Sequence, residues 1–172
     1  MSPPYYGPSP SAFVGNGDFM TFAQLLANFP PSAATKGFYA RVTDLYGTQT
    51  GVMVCGYDSN QVANGGYFWQ PTRPDSTNGS ASAYPSNTPL TILPITMPSF
   101  IRFSSAALTL SVTHTISPVN AYPGCRVRML MPGLLGIFGI TIAGLVSGTT
   151  VPLVTGTPRE FIFDGTAFQT YA

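Results

Sequence analysis

The chain has 172 residues, of which only 7 are Lys or Arg and 6 are Asp or Glu, a charged fraction of 8% and a net charge of +1. Average usage is about 25% charged. With a single lysine (Lys36) and a single glutamate (Glu160), the chain cannot wet the outer faces of a helical bundle or coiled coil, and its charge offers no footprint for a nucleic-acid backbone. A chain that is 44% apolar is too hydrophobic for disorder throughout, and 18 Gly with 17 Pro punctuate it heavily, so an all-β protein with a neutral hydroxyl-rich surface is expected.

Residues 1–17 are rich in Pro, Gly and Ser with scattered Tyr5, Tyr6 and Phe13, a composition that forms an extended arm and has no apolar leader. Asp18 stands where an N-cap belongs. Phe19, Phe22, Leu25, Leu26 and Phe29 then recur at helical spacing until Pro30-Pro31, predicting one short helix. The aromatic residues Tyr5, Tyr6, Phe13, Phe19 and Phe22 are candidate anchor contacts.

From Lys36 the texture becomes strand and turn. Strands are predicted over Phe38–Asp44, Gly51–Tyr57 and Gly66–Gln70, with reversals at Asp58-Ser59-Asn60 and Asn64-Gly65-Gly66. Residues 71–89 read as a linker by composition. Leu90–Ile95 and Phe100–Phe103 follow as short strands cut by Pro94 and Pro98. Next, Leu108, Leu110, Val112, His114 and Ile116 alternate with Thr109, Ser111, Thr113 and Thr115, a half-buried strand. Met129–Val146 is charge-free and reaches the length of a short membrane span. It nevertheless contains Pro132 and four glycines, so two buried strands joined by a turn are expected and no membrane span. Arg159–Phe163, Asp164-Gly165 and Ala167–Tyr171 form a hairpin signature. Boundaries follow: 1–35 arm and helix, 36–72 a β-module, 73–89 linker, 90–172 a sandwich-like β-domain.

An internal repeat is also visible. Gly37-Phe38-Tyr39-Ala40-Arg41-Val42 resembles Gly124-Cys125-Arg126-Val127-Arg128-Met129, and both halves place an aromatic before an Asp turn and an aromatic-Gln pair on the return strand. Duplication and convergent hairpin chemistry both produce such letters.

Chemistry has few candidates. Cys55 and Cys125 allow either one disulfide or two buried thiols. His114, the sole histidine, would need copies from other subunits on a symmetry axis to hold a metal or anion, and otherwise is a hydrogen-bonded core residue. Metal-ligand spacings, phosphate loops and a Gly-x-Ser-x-Gly elbow are all missing from the sequence. Six scattered acids give no pair recognisable as a glycosidase dyad, so no catalytic residue and no cofactor are expected. Tyr67 and Trp69, on a strand beside Gly-rich turns, could stack on sugar rings.

The stretch Phe29–Asp44, with Arg41-Val42-Thr43-Asp44, followed by Val52–Asp58 and Tyr67-Phe68-Trp69, resembles a module of tailed-bacteriophage virion proteins. Phe161–Phe168 is similar to the Asp-Gly-Thr-Ala-Trp hairpin that closes phage fibre and head-decoration chains, with Phe168 in place of Trp. These matches cover about a third of the chain and are short. The resemblance implies a virion structural protein, a capsid decoration or tail-fibre subunit, and not an enzyme. It implies a homotrimer bound to a phage capsid or tail protein. A receptor- or glycan-binding fibre tip, contacting a host surface glycan, is the competing expectation.

Overall fold

The computed structural model describes residues 12–73, 75, 83–104, 111–131 and 140–171. The protein is all-β with one short helix. Its N-terminal part comprises β1 (Phe19–Met20), α1 (Phe22–Asn28), β2 (Tyr39–Leu45), β3 (Gln49–Tyr57) and β4 (Tyr67–Pro71). The four strands lie in that order, β1 parallel to β2 and the rest antiparallel. Alternation turns Ala40, Val42, Met53, Cys55 and Trp69 to one face, where Phe22 and Leu25 of α1 cover them. Leu25 and Met53 are fully buried, each worth about 2 kcal/mol in burial.

The helix begins three residues later than its periodicity suggests. Phe19 and Met20 are drawn into extended backbone by pairing with Arg41 and Val42, so Asp18 is not the N-cap of α1 but closes the short 3-10 turn Val14–Gly17, its N–H donating to Gly15 O at 3.0 Å. Thr21 takes the N-cap: its Oγ1 accepts from Gln24 N at 3.2 Å, and Gln24 Oε1 accepts from Thr21 N at 2.8 Å, a reciprocal capping box. The described part of the expected arm and helix, residues 12–35, therefore packs on the 36–72 module, and residues 1–11 lie outside the described residues. Without α1 and β1, the inner face of the sheet would be bare.

The C-terminal part is a two-sheet sandwich. One sheet is built from β5 (Ala83–Tyr84), β7 (Phe100–Phe103), β9 (Arg126–Leu130), β12 (Arg159–Phe163) and β13 (Phe168–Tyr171). The other contains β6 (Thr91–Ile92), β8 (Val112–Ile116), β10 (Ile140–Ala143) and β11 (Val151–Pro152). Between them lie Ile101, Phe103, Ile116, Val127, Met129, Ile140, Ile142, Phe161, Phe163 and Phe168. Three sequence expectations change here. The strand over Leu90–Ile95 shrinks to Thr91–Ile92, because Pro94 and a left-handed Ile95 (φ 76°) end it. The linker is partly structure: Ala83 and Tyr84 pair with Arg102 and Phe103, and Ser86 is buried. The strands β9 and β10 are not a hairpin but face each other from opposite sheets, since each needs an apolar partner layer and β9 finds its ladder on β7 and β12. Leu108, Leu110 and Pro132–Gly139 lie outside the described residues.

The two parts are joined by specific contacts. Gln61 Nε2 donates to Ala121 O at 3.2 Å, Val62 N to Gly165 O at 3.3 Å, and Tyr46 N to Ile95 O. Tyr122 packs against both apolar cores.

The first part of the repeat seen in the sequence, 37–42 against 124–129, keeps its register in the ladder. Arg41 pairs with Phe19 and Val52; Arg128 pairs with Phe100 and Glu160. The strand set β1-β2-β3-β4 thus recurs as β7-β9-β12-β13 with the same directions and register. Equivalent inward positions are all buried: Ala40 and Val127, Val42 and Met129, Met53 and Phe161, Cys55 and Phe163, Trp69 and Phe168. Entry turns match as well. Phe38 N donates to Thr35 O at 3.0 Å and Cys125 N to Tyr122 O at 2.8 Å, each around a glycine held at positive φ (Gly37 82°, Gly124 83°). This register makes Cys55, not Tyr57, the equivalent of Phe163, so the first hairpin is longer at its tip than the letters suggest. Each sheet then covers its inner face differently, one with a helix and the other with a second sheet.

Candidate functional site

Two surface features stand out, an aromatic face on the N-terminal sheet and a cleft where the two parts meet. The aromatic face follows from strand alternation, which points Tyr39 and Arg41 away from α1. Phe13 reaches the same face through a parallel bridge to Tyr39, their ring centroids 5.7 Å apart. The Arg41 guanidinium lies over both the Phe13 ring (5.2 Å) and the Phe19 ring (5.5 Å), and Phe19 remains 58% exposed. A guanidinium flanked by two rings holds them in place by cation–π attraction while leaving apolar edges in water. The C-terminal repeat copies the motif, with Arg128 over Phe100 at 5.8 Å.

The expected anchor residues therefore separate. Phe13 and Phe19 form this face, whereas Phe22, at 3% exposure, is a core residue of α1 and cannot contact a partner. Tyr5 and Tyr6 lie outside the described residues. The expected sugar reader also divides. Trp69 is buried on the inner face and its Nε1 donates to Phe29 O at 3.0 Å, so its indole offers no surface to a ligand. Tyr67 packs its ring 4.9 Å from that of Tyr57, next to Lys36, whose Nζ sits 5.2 Å above the Tyr57 ring.

His114 is fully buried within the subunit rather than on a symmetry axis. Its ring stacks on Phe103 at 4.4 Å, and Nδ1 accepts from Leu90 N at 3.1 Å. That bond leaves the proton on Nε2, which together with Ser86 Oγ is buried without a partner. Burial lowers the His114 pKa to about 4, with the Ser86 backbone opposing the shift. Among the described residues no group of three His, Cys, Asp or Glu could hold a metal ion. Cys55 and Cys125 are both free and buried, and burial pushes the Cys125 thiol up to about 12, far from a nucleophile's range. Asp58 and Asp164 serve their turns as expected: Asp58 Oδ1 accepts from Asn60 N, and Asp164 holds Thr166 N, Ala167 N and Gln169 Nε2. Those three donors depress the Asp164 pKa.

The cleft at the junction measures about 360 Å³. Tyr46 and Tyr122 line it side by side. Asp75 stands beside them, its Oδ1 accepting from Gln49 Nε2 at 2.6 Å and its Oδ2 from Ser99 N at 2.7 Å. Burial pushes the Tyr46 hydroxyl up to about 12 and Tyr122 higher still, with Asp75 adding to both shifts, so both hydroxyls stay protonated. Leu93, Pro94, Met97 and Pro98 make an apolar wall, and Arg126, Arg128 and Glu160 the polar one, Arg126 bridging to Glu160 at 3.4 Å. Two residues of this cleft have unusual backbones. Tyr46 (φ 49°) and Ile95 (φ 76°) both occupy the left-handed region that large side chains avoid, and Tyr46 N donates to Ile95 O. Sequence reasoning missed the cleft, since its residues come from five separate segments and Asp75 sat in an assumed linker. The single available signal was the hydrophobic run ending in Pro94 and Pro98.

No helix among the described residues is long and apolar enough to cross a membrane. No protein-family model and no curated protein matches the sequence. A search of solved structures returns a chain from a chaperone–substrate complex, 16% identical, aligned over 79% of this chain and 25% of that one, with a TM-score of 0.27. This chain thus spans about a quarter of its length, and a likeness at this level assigns neither fold nor function.

Proposed function

We propose that this protein is a structural subunit of a virion, a capsid decoration or fibre component of a tailed phage, that works by self-assembly and by anchoring to a larger particle. The observation that carries the reading is the aromatic face: Phe13 and Phe19, both within cation–π reach of Arg41, with Phe19 58% exposed. Large apolar side chains fixed in water are the ordinary signature of a contact surface. A low charge density fits the same reading, because a neutral hydroxylic surface is poorly protected against self-association. The sequence resemblance to phage virion modules supplies the particle.

The assembly is expected to be a closed, symmetric oligomer, a trimer in the first instance, with the aromatic face at subunit or capsid contacts. Sedimentation velocity and native mass measurement of the full chain test this directly. A trimer that falls to monomer in the Phe13→Ala/Phe19→Ala double variant, with unchanged far-UV circular dichroism, supports the reading. A wild-type monomer at micromolar concentration refutes self-assembly.

A further inference from the structure

The aromatic face carries a cation that no described carboxylate of its own subunit pairs. The exposed Arg41 guanidinium lies within 5.5 Å of the Phe13 and Phe19 rings, so a partner that covers Phe19 covers this charge as well. Taking a cation out of water is unfavourable unless a carboxylate comes with it. The ladder supplies none: Arg41 pairs with Phe19 on one side and Val52 on the other, and the one ion pair among the described residues is Arg126–Glu160.

The second repeat is a built-in comparison. Arg128 occupies the position of Arg41 and lies over Phe100, but its other ladder neighbour is Glu160. That sheet face therefore holds its own carboxylate, bridged to Arg126 at 3.4 Å. In the N-terminal repeat Val52 takes the place of Glu160, so a carboxylate for Arg41 has to arrive from elsewhere.

A second, independent observation says from where. The chain has six acidic residues, and all but one are engaged. Asp44 accepts from Phe22 N at 2.6 Å, Asp58 from Asn60 N at 2.8 Å, and Asp75 from Gln49 and Ser99. Asp164 accepts from three donors and Glu160 from Arg126. Asp18 is the exception. Its carboxylate has no partner among the described residues, and it is exposed directly before Phe19 in the chain.

An unpaired cation and an unpaired anion thus accompany one exposed phenylalanine. A copy of the same patch, turned about a rotation axis, satisfies both at once, because each Arg41 receives a neighbour's Asp18 and each Asp18 meets a neighbour's Arg41. An unrelated surface would have to bring both charges in matching places.

Building on the self-assembly reading, we propose that the occupant of the aromatic face is a second copy of this chain, held by Phe19 packing near the axis and by Asp18–Arg41 ion pairs between copies. The test is sedimentation velocity of the full chain: wild type beside Asp18→Lys, Arg41→Glu and the Asp18→Lys/Arg41→Glu exchange, with far-UV circular dichroism on each. Either single variant sets like charges against each other at the contact and is expected to raise the dissociation constant about tenfold or more, and the exchange to recover most of that loss. Arg41→Glu also releases the clamp on the two rings, so Asp18→Lys, at a carboxylate without a contact in its own subunit, is the decisive variant. Unchanged assembly in Asp18→Lys, while Phe13→Ala/Phe19→Ala dissociates, would overturn the ion pair and leave the aromatic contact standing. A folded exchange protein that stays as dissociated as the single variants would overturn it too. A wild-type monomer at micromolar concentration would remove the ion pair and the self-assembly reading together.

Discussion

Lowering the pH through the range where histidine normally titrates is expected to destabilise the fold through His114 alone before the carboxylates respond. In the folded chain, Nδ1 accepts the Leu90 N–H at 3.1 Å, the ring lies against Phe103, and no part of it reaches solvent. From the described elements around it, Phe103 of β7, Ile142 of β10, Leu90 and Ser86 surround the ring, and none of these carries a charge. A second proton would face two N–H donors at each other in an apolar layer. The folded pKa is accordingly depressed from 6.5 to about 4. The unfolded chain binds a proton below about 6.5 and the folded chain does not until about 4, so the unfolded state takes up more protons across that interval. Stability is full above pH 6.5 and falls with pH through the window. The slope approaches 1.4 kcal/mol per pH unit, for a total of roughly 3 kcal/mol. Urea denaturation at about pH 7.5, 5.5 and 4.5 measures this, with His114→Gln as reference because its amide keeps an acceptor for Leu90 N but cannot titrate. Wild type should lose about 2.5 kcal/mol more than the variant between the extremes. His114 is the sole histidine, so its ring-proton NMR signals are unambiguous. A titration midpoint near 6.5 in the folded state, or parallel losses in the two proteins, would refute the reasoning.

Two further substitutions probe the fold. Trp69→Phe keeps most of the apolar volume but leaves the Phe29 carbonyl without its indole donor, and should cost about 1–2 kcal/mol in chemical denaturation; an unchanged midpoint would mean that water replaces the indole. Gly144→Ala drives a methyl into the Ile116 carbonyl oxygen from a backbone at φ 85°, so a loss of more than about 3 kcal/mol is expected. A soluble, native-like Gly144→Ala protein with a near-normal melting temperature would show that β8 and the Ala143–Leu145 corner can separate at little cost.

Much of this architecture was readable from local chemistry. The hairpins at Asp58 and Asp164 form because their carboxylates cap backbone amides two and three residues on, which needs no tertiary help. Alternation alone picked the inward face of β8, where Val112, His114 and Ile116 are buried. The paired glycines Gly37 and Gly124 betrayed a repeat that the ladder reproduces, since a turn at positive φ fixes where each strand begins.

What the letters could not decide was which layer each strand meets. Phe19 and Phe22 share a helical stripe in the sequence, but pairing with β2 pulls Phe19 into a strand and out to solvent while Phe22 stays in the core. Trp69 and Tyr67 look equivalent as sugar platforms until α1 supplies the carbonyl that buries the indole. Periodicity reports which residues share a face; whether that face meets water, a helix or a second sheet depends on contacts between segments far apart in the chain. The cleft is the extreme case, because Tyr46, Asp75, Ile95, Tyr122 and Arg128 meet only after both repeats have folded and closed on each other.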